Sequence, residues 1–183
     1  KVINGQGRIL EQYSAPTSPI FGKKVLPTGV AFIISHILAD NGARLLAFGP
    51  SSELKIGKNL PVSVKTGTTN DYRDNWTIGY TPSFVVTVWV GNNDNTPMSG
   101  LASGITGAAP IWNKLMTYLL ANNPIQQISQ PTNIIGKTIC STSGLYPPPA
   151  DKGSCPTRFE YFIKGTEPKK TDSGLQKVFI DKT

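Results

Sequence analysis

A chain of 183 residues with 38% hydrophobic and 16% charged residues is long enough to bury one sizeable core with a small appendage, and it fits neither disorder nor a membrane bundle. Its net charge of +7 is spread along the chain, with ten Lys/Arg against six Asp/Glu over residues 1–123 and eight against five over residues 124–183. No basic run with interleaved aromatics stands out, which argues against a nucleic-acid partner. The charge suits a solvated surface, or one that meets an anionic envelope polymer or lipid headgroup.

The longest apolar runs, such as Phe84–Val90, are far too short to span a bilayer, and no signal peptide opens the chain. It begins at Lys1 rather than at a methionine, as an excerpt would, so any membrane anchoring is expected through parts outside it.

In chain order, Asn4-Gly5-Gln6-Gly7 followed by Arg8-Ile9-Leu10, within Ile3–Tyr13, predicts a turn and then a strand, broken by Pro16 and Pro19. Val30, Ile33, Ile34, Ile37 and Leu38 recur at helical spacing and predict a helix with one continuous apolar face. Thr28 is its expected N-cap, and Asn41-Gly42 its stop. His36 falls on a flank of that helix, where a surface or boundary histidine is a better reading than a catalytic one.

Leu60–Lys65 reads as a strand with Val62 and Val64 on one face and Ser63 and Lys65 on the other. Asn70–Asn75 is a polar turn, Trp76–Tyr80 a second strand, and Thr81-Pro82-Ser83 a turn into a third strand at Phe84–Val90. Strands so closely spaced are expected to pair antiparallel. The apolar residues on both sides of the third strand predict that it is covered on both faces, in a central sheet sandwiched by helices. A loop over 91–107 leads to a second helix from about Ala108 to Leu120, with Pro110 in its first turn and Ile111, Leu115 and Leu119 on one face. Asn122-Asn123-Pro124 ends it. Composition then shifts to Pro, Thr, Ser and Lys, which places a boundary near 124: residues 1–123 form the main unit and 124–183 a small β-rich or extended appendage.

Cys140 and Cys155 lie in a Gly-, Pro- and Ser-rich stretch. Two cysteines do not make a zinc site, and His36 is far away in sequence, so no metal is expected. A disulfide closing that loop implies an oxidising, extracytoplasmic location and is worth about 3 kcal/mol in the chain-entropy model. Two unpaired thiols are the alternative.

The stretch that carries chemistry is Lys65-Thr66-Gly67-Thr68-Thr69 at the end of a strand. The lysine brings positive charge to the mouth of a cleft, and the glycine lets a substrate backbone lie against the strand. The flanking hydroxyls can bind a carboxylate, and a strand N–H can polarise a carbonyl. By itself Lys-Thr-Gly is weak, since an ordinary strand end with a glycine turn has the same letters.

An ordered series supports it. The stretch Val62-Ser63-Val64-Lys65-Thr66-Gly67-Thr68-Thr69-Asn70-Asp71 leads into Arg73-Asp74-Asn75-Trp76-Thr77-Ile78-Gly79-Tyr80-Thr81-Pro82. Then come Val88-Trp89-Val90-Gly91-Asn92-Asn93-Asp94 and Gly107-Ala108-Ala109-Pro110-Ile111-Trp112. Over roughly residues 24–120 this resembles the C-terminal part of the transpeptidase domain of class A (bifunctional) penicillin-binding proteins. The tail, with Cys140, Ser143-Gly144, Cys155 and Phe162-Ile163-Lys164-Gly165-Thr166-Glu167-Pro168, is similar to the C-terminal extension of some members.

The resemblance implies an α/β (α+β) fold of the penicillin-binding-protein and serine β-lactamase kind. It also implies a cofactor-free acyl transfer through a serine ester, in which the serine attacks a D-alanyl-D-alanine stem peptide and the acyl group passes to a neighbouring amine. Lys65 would then stabilise negative charge. Thr66 and Thr68 would hold the terminal carboxylate beside Gly67 and Thr69, and the N–H of Thr68 would form half of the oxyanion hole. The implied partners are peptidoglycan stem peptides and β-lactams, at the extracytoplasmic face of a bacterial plasma membrane.

The chain departs from the family's pattern in one serious way. No Ser-x-Asn triplet occurs, and the single Ser-x-x-Lys, Ser52-Glu53-Leu54-Lys55, ends ten residues before Lys65, where the family has a variable loop. That match reads as chance. The chain is therefore expected to supply the Lys-Thr-Gly wall but not the nucleophile, and to need the missing N-terminal part of the transpeptidase domain, on the same or another chain. A catalytically silent peptidoglycan- or partner-binding module on the same scaffold is the alternative.

Overall fold

The structure is a computed structural model that describes residues 1–12, 14, 24–57, 60–99, 105–123, 125–150 and 153–173. The predicted breaks at Pro16 and Pro19, the stop at Pro124 and part of the 91–107 loop lie outside the described residues, as does Tyr13.

Near the start, β1 (Val2–Ile3) and β2 (Ile9–Glu11) make a short antiparallel hairpin. Helix α1 (Thr28–Ala39) and the single-turn α2 (Leu45–Phe48) follow. Strands β3 (Ser63–Thr68), β4 (Asp74–Tyr80) and β5 (Val85–Gly91) form one antiparallel sheet in the order β3-β4-β5. Its register sets Val64 opposite Gly79 and Gly79 opposite Val86. Helix α3 (Ala108–Asn122) covers one face of that sheet, and α1 lies against β3. The mixed α/β fold and the antiparallel pairing expected over 62–90 are present. β3 starts three residues later than expected and runs on through Thr68.

The core lies between α3 and the sheet. Val62, Val64, Val86 and Val88 meet Ala108, Ala109, Trp112 and Met116, with Leu54 and Ile56 closing the side. Small residues at the start of α3 let its backbone approach the sheet, and the Trp112 ring lies on Gly79 of β4. A Cβ there would sit 2.3 Å from Trp112 Cζ2.

Both helices bury a different face from the one their apolar spacing suggests. In α3 the buried residues are Ala108, Ala109, Trp112 and Met116, whereas Ile111 and Leu115 are each 47% exposed. In α1 they are Gly29 and Phe32, while Ile34 and Ile37 face outward. Gly29 and Phe32 are selected because the C-terminal hairpin docks there. A Cβ at Gly29 would approach Asn133 Nδ2 to 2.9 Å, and Phe32 packs edge-on to Tyr161 at 5.1 Å. His36 lies flat along Phe32 and edge-on to Tyr161, which is the boundary position expected of it. Thr28 is the first residue of α1 rather than its cap. Pro27 holds that place without a side-chain bond, its fixed φ of −58° leading into the helix. Asp40 shapes the stop, its Oδ1 accepting the N–H groups of Gly42 and Ala43.

The expectation that the third strand is covered on both faces is corrected. Val86 and Val88 are buried under α3, but Val85, Thr87 and Trp89 are exposed on the opposite face.

The C-terminal segment is β-rich, as expected. β6 (Ile134–Cys140) and β7 (Thr157–Ile163) pair antiparallel from Ile134 opposite Ile163 to Cys140 opposite Thr157. A disulfide joins Cys140 to Cys155 with their Cα atoms 5.6 Å apart, and Gly136 leaves room for the Phe159 ring lying across it.

Candidate functional site

β3 is an edge strand of its sheet, so its outer N–H and C=O groups face away from β4. The Lys-Thr-Gly stretch lies on its C-terminal half. Lys65 is exposed opposite Ile78, and its ammonium donates to the Thr66 carbonyl. Thr66 pairs with Thr77, Gly67 with Trp76, and Thr68 with Asn75. Alternation places Lys65 and Gly67 on one face of the strand and Thr66 and Thr68 on the other. Alongside Val64, Lys65 and Thr66 lies a cavity of about 280 Å³ bounded by Ile37, Leu38, Phe48 and Leu54 on its apolar side.

Thr69 is tied to the strand that follows. Its hydroxyl donates to Asp74 Oδ2 at 3.1 Å and accepts the Asp74 N–H at 2.8 Å, and its own N–H reaches the Asp74 carbonyl at 3.0 Å. Thr69 thus closes the β3–β4 connection, in which Asp71 and Tyr72 both take positive φ. The other carboxylate oxygen of Asp74 accepts the Trp89 indole N–H at 2.9 Å, tying β5 to the same point. One carboxylate therefore fixes the strand ends beside Thr68.

Two more polar groups that sequence reasoning did not single out hold the strand from either side. Asn75, fully buried, accepts the N–H of Ala108 at 2.8 Å and so satisfies one of the orphan donors at the start of α3. Ser63, also fully buried, donates to the Ser35 carbonyl at 2.7 Å, and Ser35 and Tyr80 share a hydrogen bond between their hydroxyls. Alternation groups Ser63 with Lys65 and Asn75 with Thr77, on polar registers, so nothing in the sequence signalled their burial.

Ser52 and Lys55 stand apart from this strand. The Lys55 N–H bonds to the Ser52 carbonyl in a turn, and the Ser52 hydroxyl accepts the Leu54 N–H. They line a different cavity from the one beside Lys65. Among the described residues, no three His, Cys, Asp or Glu side chains gather as a metal site, and no helix is long and apolar enough to cross a membrane.

Known proteins resemble this chain in sequence and in fold. The family model "Penicillin-binding protein 1A, C-terminal domain" matches residues 130–177. Penicillin-binding protein 1C of Escherichia coli is 31% identical over 155 residues, covering 84% of this chain and 19% of its own length. Penicillin-binding protein 1A of Clostridium botulinum is 30% identical over 180 residues, covering 94% and 20%. The chain thus spans about a fifth of the length of the relatives it matches. The crystal structure of penicillin-binding protein 1A from Haemophilus influenzae superimposes with a TM-score of 0.65 at 30% identity, over 79% of this chain and 21% of that one. In sequence over most of its length, and in fold, the chain belongs to the penicillin-binding proteins and is related to the C-terminal part of their class A members.

Proposed function

We propose that this chain supplies the Lys-Thr-Gly wall of a serine-type D,D-transpeptidase cleft. Residues 1–123 are the C-terminal half of the transpeptidase domain, and 124–183 are its C-terminal extension. The nucleophilic serine comes from the remainder of the domain, because no Ser-x-Asn occurs here and Ser52-x-x-Lys55 lies in a turn away from Lys65. The observation that carries the reading is the placement of Lys65, Thr66, Gly67 and Thr68 on the open edge of the sheet, beside a cavity.

In that cleft the serine attacks the carbonyl of a D-alanyl-D-alanine stem peptide, and the terminal alanine leaves as the acyl-enzyme forms. An amine of a neighbouring stem peptide then takes the acyl group and restores the serine. Lys65 stabilises the negative charge of the intermediate and orients the hydroxyls around it. Thr66 and Thr68 hold the substrate carboxylate, with Gly67 leaving space for the peptide backbone, and the Thr68 N–H points at the developing oxyanion. Thr69 contributes by fixing the strand end through Asp74. β-Lactams occupy the same cleft. The site faces the cell envelope, where peptidoglycan is found and where a disulfide such as Cys140–Cys155 persists.

Acylation by a labelled penicillin, followed in the protein that carries this chain, tests the proposal. Lys65→Ala is expected to slow acylation by about a hundredfold or more, the scale on which one electrostatic stabiliser of acyl transfer acts. The thermal midpoint should barely move, since an exposed lysine contributes little to folding. Unchanged acylation in Lys65→Ala would overturn the assignment. The isolated 183-residue chain should not be labelled at all, and covalent adduct on Ser52 would show that the nucleophile lies in this segment after all.

A further inference from the structure

The connection between α1 and β3 holds a second polar site, which adjoins the cavity beside Lys65 through Arg44. Arg44, Ser52, Lys55 and Asn41 converge on a cavity of about 190 Å³ closed by the loop glycines Gly42 and Gly49. That is ample for several waters and below the roughly 300 Å³ at which sites for drug-sized ligands begin. A single small group fits within it. No Asp or Glu is among the described residues that line it. Asp40, the acidic neighbour of Arg44, accepts the Gly42 and Ala43 N–H groups and lines the adjoining cavity beside Lys65, which Arg44 also borders.

The donors are held in place but not used up. The Arg44 side chain donates through Nε to the Asp40 carbonyl at 3.3 Å and through Nη2 to the Leu38 carbonyl, which fixes it at the end of α1. Its Nη1 is buried with no hydrogen-bond partner among the described residues. Burial lowers the Arg44 pKa despite the opposing pull of Asp40, so the charged guanidinium gains from an anion nearby. The Ser52 hydroxyl accepts the Leu54 N–H at 3.1 Å, which leaves its own proton to donate. The backbone carbonyls of Lys55 and Glu53 are clamped by the Asn113 amide of α3. The Lys55 ammonium enters no ion pair among the described residues.

We propose that this cavity binds a phosphate group, with Lys55 and Arg44 neutralising its charge and the Ser52 hydroxyl and Asn41 amide bonding to its oxygens. Two cations, a hydroxyl and an amide around a cavity with no lining carboxylate suit an oxyanion with several acceptor oxygens, as a phosphate group has. The group can belong to a soluble phosphate monoester or to a lipid headgroup.

The experiment titrates the protein that carries this chain with inorganic phosphate, ionic strength being held constant with chloride, and follows the thermal midpoint and calorimetric heat. A saturable rise in midpoint is expected, as for any ligand that binds only the folded state. Lys55→Gln should weaken binding by about tenfold or more, the effect of losing one charge-assisted hydrogen bond, and Lys55→Arg should restore it. Lys55 is preferred to Arg44 because Arg44 also closes α1. Penicillin acylation measured alongside should be unaltered by Lys55→Gln, which separates this site from the cleft. Glycerol phosphate in solution and vesicles of phosphatidylglycerol or phosphatidylcholine distinguish the two sources. Lys55-dependent binding to either phosphate source supports the site and assigns its ligand. No saturable effect beyond that of chloride, or equal binding by Lys55→Gln, overturns it.

Discussion

The Trp112 ring of α3 lies directly on Gly79 of β4, so closely that a Cβ at Gly79 would stand 2.3 Å from Cζ2 and 2.7 Å from Cε2. Trp112 is fully buried, and Gly79 faces Val64 and Val86 across its two neighbouring strands. The contact sets how near α3 comes to the sheet that carries Lys65. Gly79→Ala is therefore expected to force α3 outward and cost about 1–3 kcal/mol, the range for overpacking a filled core. Chemical denaturation of the variant beside the parent measures it. A neutral substitution would show that the ring has room to slide.

Thr68 and Thr69 are adjacent and chemically identical, yet their substitutions should separate. Thr69→Val removes the hydroxyl that both donates to Asp74 and accepts its N–H, so stability should fall by about 1 kcal/mol, two exposed bonds giving less than buried ones. Thr68→Val, under the proposed function, weakens recognition of the substrate carboxylate while leaving the backbone N–H in place. Its kinetic defect should be smaller than that of Lys65→Ala. Acylation rates and melting midpoints for the pair decide between these outcomes.

Reduction of the Cys140–Cys155 bond, which separates positions 15 apart in sequence, should lower the stability of the C-terminal hairpin by about 3 kcal/mol. Because Tyr161 of that hairpin packs on Phe32 and His36 of α1, hydrogen exchange should quicken in α1 as well as in β6 and β7. Protection lost in the hairpin alone would mean that the docking is too weak to couple them.

Glu167 gives a pH signature. Its carboxylate accepts backbone N–H bonds, its own first and then that of Gly165 at 2.6 Å, with Lys137 and Lys169 nearby, and these hold its pKa below the ordinary carboxylate range. A group with a depressed folded pKa stabilises the turn after β7 above its unfolded pKa, and that contribution is lost as pH falls through the folded value. The Gly165 amide resonance should therefore move with the Glu167 titration, at a pH below that of a free glutamate. A midpoint at the ordinary value would remove the bond.

Much of the architecture was legible in the sequence because it depends on local pattern. The three strands and the two long helices follow from alternation, helical spacing and turn residues, the tail was legible only as β-rich or extended, and the Lys65–Thr69 stretch announces itself by its order. The buried face of each helix was not legible. Both α1 and α3 carry two apolar stripes, and periodicity cannot say which one a sheet will cover. Gly79 decided it for α3 by accepting the Trp112 ring, and the hairpin decided it for α1 by docking on Gly29 and Phe32. In the same way, sequence grouped Thr69 with Thr66 and Thr68. Only the fold, by bringing Asp74 back across a turn, gave its hydroxyl a structural partner. Sequence by itself determined the two long helices, the three central strands and where the reactive-looking strand lies. The tertiary structure decided which faces meet and which polar side chains are already engaged, because those outcomes depend on shape between segments distant in the chain.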